Sequence, residues 1–380
     1  MKIGILTLTL HTNYGGILQA YALQTVLERM GHEVVVFNRP FTPLKTKWWQ
    51  IPKRIVKKLL GRDVVIFSER KYNREAPILN QYVWEFRKKY IHERIVDKLT
   101  DIKEGEVDCI VVGSDQVWRP RYFKEQWQTG IEDAFLAFTK GWNIKRIAYA
   151  VSFGVDTWEY TPEETEKCRE AIKMFDAISV REDSGVKLLR DHLKVSATHL
   201  LDPTLLLKKE DYISLFENNS TPKSDGDLLV YFFNPNKEKR SYTSRIAQER
   251  KMEPFIVNIS HTMSNAPLKE KVLPPVESWI RGFHDAKFVI TDSFHACVFS
   301  IIFQIPFVVF LTDTRGNSRI LSLLKPFKME DHIIEGEHFI GSTEAKVITE
   351  DVNYSAPELV ASELSAMVNN SLNSIKSLIE

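Results

Sequence analysis

The chain has 380 residues, enough for two domains with separate cores, and 43% of them are hydrophobic against 27% charged. Its 51 basic and 50 acidic side chains leave a formal net charge of +1, which excludes bulk electrostatic binding to nucleic acid and makes any anion site local. Three cysteines (Cys109, Cys168, Cys297) without CxxC spacing exclude a disulfide framework and a cysteine-rich zinc site, and fit a reducing compartment.

The N-terminal MKIGILTLTL begins like a signal peptide, with a basic residue before an apolar run. No small-residue cleavage site follows, and the segment leads into a strand–loop–helix unit, so it is read as the first strand. ILQAYALQTVLERMGH predicts a helix ending near Gly31, and EVVVFN predicts the next strand, completing a βαβ unit. The turn between them, HTNYGG (11–16), lacks G-x-G-x-x-G, so NAD is not expected.

An insertion follows. KTKWWQIPKRIVKKLLGR (45–62) holds seven basic residues and no acidic one, with Ile51, Ile55 and Leu59 on one helical face and Trp48 and Trp49 at its start. It reads either as a surface helix packed on its own domain or as a flap that touches membrane or acceptor.

DCIVVG (108–113), RIAYAVSF (146–153) and DAISVR (176–181) predict strands, and HLLDPTLLL (199–207) a further one. They are near-continuous apolar runs, as in parallel sheets covered on both faces. ENNSTPKSDGD is linker-like. The same rhythm then restarts with LLVYFF (228–233), EPFIVNIS (253–260), AKFVIT (286–291) and PFVVFL (306–311). The stretch 288–311 is long enough to span a membrane, but Asp292, His295, Gln304 and Pro306 interrupt it. Ser355 to Glu358 forms a capping box for a C-terminal amphipathic helix. The expected organisation is therefore an N-terminal Rossmann-like domain (1–216), a linker (217–226), a C-terminal Rossmann-like domain (227–345) and a C-terminal helix (346–380). The fold class is α/β, with two doubly wound parallel-sheet domains facing a cleft, as in GT-B-like proteins. Ligands in such sheets bind beyond the carboxyl ends of the strands.

Four strand ends carry candidate chemistry. In TDSFHA (291–296), Asp292 or Ser293 would cap the helix and His295 would sit in its first turn, where free N–H groups and the dipole favour anions. The same residues also read as a plain cap and a core histidine. VVGSDQVW places Ser114, Asp115 and Gln116 after a strand, and Gly113 permits the turn. SVREDSG ends a strand at Arg181, beside Glu182 and Asp183. TDTRGNSR (312–319) offers Arg315 and Arg319, suited to phosphate or carboxylate. No metal-ligand spacing or Walker, nucleophile-elbow or HExxH pattern is found.

NYGGILQAYALQTVLERMGHEV, VVGSDQVW, ISVRE, LDPTLLL and TDSFHACVFSIIFQIPFVVF stand in the order of the polysaccharide pyruvyl transferase family, which the chain resembles over roughly residues 3–325. The resemblance implies a cytoplasmic bacterial transferase, at the inner face of the plasma membrane if 45–62 touches lipid. It would move the pyruvyl group of phosphoenolpyruvate onto a sugar of a cell-surface polysaccharide, capsule or exopolysaccharide, or its lipid-linked precursor, as a ketal. It implies no cofactor and no metal. His295 matches the family's helix-start histidine and is expected as general acid or phosphate-binding cation, with Asp115 as base. Donor binding would fall to Arg181, Ser293, His295, Arg315 and Arg319, and acceptor binding to Asn13, Tyr14, Gly15, Asp115 and Gln116. Several members carry an arginine shortly before the histidine, where this chain has Ser293 and Phe294. The alternative is a GT-B-type glycosyltransferase using a nucleotide sugar; a third reading is a non-catalytic, glycan-binding member.

Overall fold

The computed structural model describes residues 1–258, 267–311, 317–334 and 357–379. Seven strands form the first sheet: β1 (Lys2–Leu6), β2 (Glu33–Asn38), β3 (Glu93–Ile95), β4 (Cys109–Val112), β5 (Lys145–Val151), β6 (Ala177–Val180) and β7 (Thr198–His199). They lie in the order β3-β2-β1-β4-β5-β6-β7, every pair parallel. Five more strands, β8 (Leu228–Tyr231), β9 (Pro254–Phe255), β10 (Phe288–Thr291), β11 (Phe307–Phe310) and β12 (Ile333–Ile334), form a second parallel sheet in the order β12-β11-β10-β8-β9. The two-sheet α/β class expected from the apolar rhythm is what forms. β4, β8, β10 and β11 are buried along their whole length, because helices cover both faces.

Each sheet has one place where the strand order reverses, between β1 and β4 in the first and between β8 and β10 in the second. Chains leaving neighbouring strands there diverge to opposite faces and open a crevice at the carboxyl ends. The helix α1 (Tyr14–Arg29) starts at the first crevice, and the helix Phe294–Phe303 starts at the second.

Two expected strands are shortened. HLLDPTLLL pairs only at Thr198–His199 and then turns into a 3-10 segment, Pro203–Leu206. Pro203 cannot donate to a ladder, and Asp202 caps the turn by accepting from the Thr204 N–H. EPFIVNIS is strand only at Pro254–Phe255, and its last two residues lie outside the described residues. The insertion forms a turn, Trp48–Gln50, and the helix α2 (Ile51–Leu59), followed by α3 (Ser68–Leu79). The capping box expected at Ser355 falls outside the described residues, but the helix it would start is present as Pro357–Ile379.

That helix runs back to the first sheet. Lys145 of β5 donates to the carbonyl of Ile379 at 2.8 Å, and the Leu201 N–H donates to Ser371 Oγ at 3.3 Å. The two sheets also share core. One apolar cluster extends from Ile17 and Leu18 of α1 through Leu205 and Tyr212 to Trp279, Val298 and Phe299 of the second half.

Candidate functional site

The two crevices meet, and the contact is close. A Cβ on Gly15, in the first turn of α1, would lie 2.0 Å from Nδ1 of His295, so only glycine lets the helix start approach the imidazole. Tyr14 fastens the approach: its ring lies 5.9 Å from that of Trp279, and its hydroxyl donates to the Pro274 carbonyl at 2.7 Å.

Asp115 follows β4 with φ at +69°, a left-handed conformation that aspartate tolerates better than most side chains. The turn is held by the Ser152 N–H, which donates to the Asp115 carbonyl at 3.0 Å. It aims the Asp115 carboxylate at Arg181, whose Nη2 donates to it at 3.2 Å. Arg181, after β6, has no exposed side-chain surface, and its Nη1 donates to Asp202 Oδ2 at 2.7 Å. Glu182 stands 4.0 Å from its Nε. Asp202 is held on both oxygens. Oδ1 accepts from the Thr204 N–H and hydroxyl at 3.0 and 2.6 Å; Oδ2 also accepts from Ser114 Oγ at 2.8 Å. Nε2 of His295 lies 3.8 Å from that same Oδ2.

The cap of the histidine's helix is Ser293, whose Oγ accepts from the Ala296 N–H at 3.4 Å. Asp292 has other work. It accepts from the N–H groups of Phe233 and Asn234 and from Lys239 Nζ, at 2.7, 3.1 and 2.6 Å, and so ties the end of β10 to the end of β8. Phe294 lies under two guanidinium groups, Arg181 at 4.7 Å and Arg319 at 5.5 Å from its ring centre.

Burial is the largest influence on His295 and pushes its imidazole down to about 4; Asp202 pulls the other way, and Arg181 pushes it further down. The imidazole is therefore neutral at pH 7. Burial opposes ionisation of Asp202, but the charges of His295 and Arg181 and the Thr204 hydrogen bonds outweigh it and hold the carboxyl down to about 2. When the imidazole is neutral, Arg181 and the Thr204 hydrogen bonds are the partners that still favour the ionised carboxyl. Arg319 is lowered by burial first and then by Arg181, to about 10, and stays charged. Desolvation also lowers Arg181, but its carboxylate neighbours raise it on balance.

A cavity of about 60 Å³ lies between the domains, and Asn13, Asp115, Gln116, Ser293, His295 and Arg319 all line it. With Asp292, which lines it too, the structure thus brings together seven of the residues singled out in the sequence. Tyr14, Gly15 and Arg181 do not line it; they lock the domain contact, back the imidazole and hold the carboxylates, respectively. Arg315 lies outside the described residues. Asp202, Tyr122, Phe233, Asn317 and Ile320 take part without having been singled out. Asp202 was visible only as an aspartate before proline in LDPTLLL, a run that reads as strand. Among the described residues, no group of three or more His, Cys, Asp or Glu side chains could hold a metal ion, and no helix is long and apolar enough to cross a membrane.

Residues 13–314 match the model of a protein family described as polysaccharide pyruvyl transferase. No curated protein matches the chain. Among solved structures, the chain is similar to UDP-GlcNAc 2-epimerase from Neisseria meningitidis bound to UDP-GlcNAc, with 9% identity, a TM-score of 0.49, and 100% of this chain and 99% of that chain covered. It is also similar to MurG from Acinetobacter baumannii (10% identity, TM-score 0.40, 98% and 92% covered). The ADP-heptose LPS heptosyltransferase II of E. coli matches at 13% identity and a TM-score of 0.37, with 97% and 99% covered. None of these likenesses speaks to the substrate of this chain.

Proposed function

The chain belongs to the polysaccharide pyruvyl transferase family, and from that premise we propose that it transfers the pyruvyl group of phosphoenolpyruvate to a sugar of a cell-surface polysaccharide or its lipid-linked precursor, forming a ketal. The observation that carries the reading is His295, a neutral imidazole at the wall of an inter-domain cavity, beside the cation Arg319 and 3.8 Å from an ionised Asp202.

Phosphoenolpyruvate brings a phosphate and a carboxylate. Arg319 and the first turn of the helix Phe294–Phe303, capped by Ser293, supply the positive end. Arg315 is proposed as a second donor-binding cation. Arg181 is already committed to Asp202 and Asp115 and acts as a positioning residue. The donor's negative charge stabilises the imidazolium, so His295 takes up a proton as the donor binds. It then delivers that proton to the methylene carbon, leaving an oxocarbenium-like C2. A sugar hydroxyl held by Asn13 and Gln116 attacks C2 and gives its proton to Asp115. The C2–O bond to phosphate breaks, a second hydroxyl closes the ketal, and its proton leaves with phosphate. A placed acid or base contributes roughly 10²–10⁴-fold in rate. The scheme uses no cofactor and no metal.

The deciding experiment is calorimetric titration of wild type and His295→Asn with phosphoenolpyruvate, UDP, GDP and CMP. Saturable binding of phosphoenolpyruvate that weakens in the variant, with no nucleotide binding, is expected. Nucleotide binding without phosphoenolpyruvate binding would overturn the reading in favour of a nucleotide-sugar transferase.

A further inference from the structure

A surface helix ordinarily buries its apolar stripe and shows water its charges; α2 does the reverse. At 3.6 residues per turn, Ile51, Ile55, Val56 and Leu59 fall on one half of the helix, and Lys53, Arg54, Lys57 and Lys58 on the other. The line through Arg54 and Lys57 faces the protein, and Lys53 and Lys58 stand exposed at its margins. Arg54, with its side chain only 15% exposed, donates to both oxygens of Glu69 on α3 at 2.7 Å and to the carbonyl of Ile66 at 3.0 Å. The apolar half faces out, with Leu59 at 82%, Leu60 at 72% and Val56 at 55% exposure. Trp48 and Trp49, in the turn before the helix, are 63% and 76% exposed and extend the same surface. An ion pair grips the helix from behind and holds its greasy side away from the core. Exposed apolar surface of this kind marks a docking site.

The charge around it says what docks. The segment 45–62 carries seven basic residues and no acidic one; Arg54 pairs with Glu69, whereas Lys53, Lys57 and Lys58 have no carboxylate partner among the described residues. Aromatic anchors, a short apolar arc and flanking lysines match the boundary between acyl chains and anionic headgroups. Position agrees. α2 lies in the connection that leaves the carboxyl end of β2, the end of the first parallel sheet from which the loops carrying Asn13 and Asp115 also rise.

We propose that α2 with Trp48 and Trp49 docks the protein on an anionic lipid bilayer through an outward-facing apolar surface ringed by lysine. The inference does not rest on pyruvyl transfer, because it is read without any donor or acceptor.

The test is sedimentation of the full chain with phosphatidylcholine vesicles, with and without phosphatidylglycerol. Binding only to the vesicles that contain phosphatidylglycerol is expected, weakened by added salt. Trp48→Ala with Trp49→Ala, or Leu59→Ser with Leu60→Ser, should weaken it about tenfold or more. Lys53→Gln with Lys57→Gln and Lys58→Gln should weaken it roughly a hundredfold and flatten the salt dependence. All these side chains lie at the surface, so circular dichroism and the melting temperature should match wild type. Three outcomes would overturn the proposal: no binding of wild type to either vesicle, binding indifferent to the substitutions, or a wild-type dimer in light scattering that the tryptophan variant abolishes, which would make a second copy of this chain the occupant.

Discussion

At His295, burial beats the attraction of Asp202, so the side chain rests uncharged and becomes an acid only when negative charge arrives. Donor binding should therefore take up about one proton at pH 7. Calorimetry in buffers of different ionisation enthalpy reads this uptake, and it should vanish in His295→Asn while binding persists more weakly. Asp202→Asn removes the carboxylate that raises the imidazole and leaves Arg181 short of a buried partner. A loss of about 3–5 kcal/mol in denaturant unfolding is expected, together with a smaller proton uptake. Gly15→Ala pushes a methyl into the imidazole; about 1–3 kcal/mol of stability and most of the activity should go, since the ring must turn from its place. At this scale His295, Asp115 and Arg181 were legible because each follows an apolar strand in a parallel fold. Asp202 was not. Its role depends on Arg181, 21 positions earlier, and on His295 in the other domain, pairings that no local pattern carries.

The elements repeat the lesson with different physics. Whether Asp292 or Ser293 caps the helix of His295 was open in the sequence, and the decision came from β8, whose following N–H groups and Lys239 claim Asp292. Ser293→Ala should cost about 0.5–1 kcal/mol, the low end for a cap because the bond is long at 3.4 Å, measured as a fall in melting temperature. For α2, composition revealed the basic, tryptophan-led segment but not its orientation. That is set by Glu69, 15 residues beyond Arg54. The strand expected over LDPTLLL failed for a local reason, the missing N–H of Pro203, which the sequence did contain.

Over the whole molecule, the alternating rhythm was enough to expect two parallel sheets, because each apolar run announces a strand covered on both faces. The shared core was not readable, since it depends on α1 meeting Trp279 and Phe299 across the chain. That core has a thermodynamic consequence: the two halves cannot separate without exposing it, so calorimetry should show one unfolding transition instead of two. Acid stability follows from the buried histidines. His295 is pushed down to about 4 and His332 is also lowered, chiefly by burial, so between their ordinary value near 6.5 and about pH 4 the unfolded chain binds the extra protons. Stability is thus full above about pH 6.5 and falls as the pH drops toward 4; melting temperatures across that range check it, and His295→Asn should flatten the slope.

The helix Pro357–Ile379, which lies against β5 and the segment after β7, sets a timetable for synthesis. From His199, the end of β7, to Ile379 the ribosome must add 379 − 199 = 180 residues. At roughly 5–20 residues per second this takes about ten to forty seconds. For that interval the first sheet is made but its flank at Lys145 and Leu201 is uncovered, and it is during this wait that a chaperone would find the nascent chain.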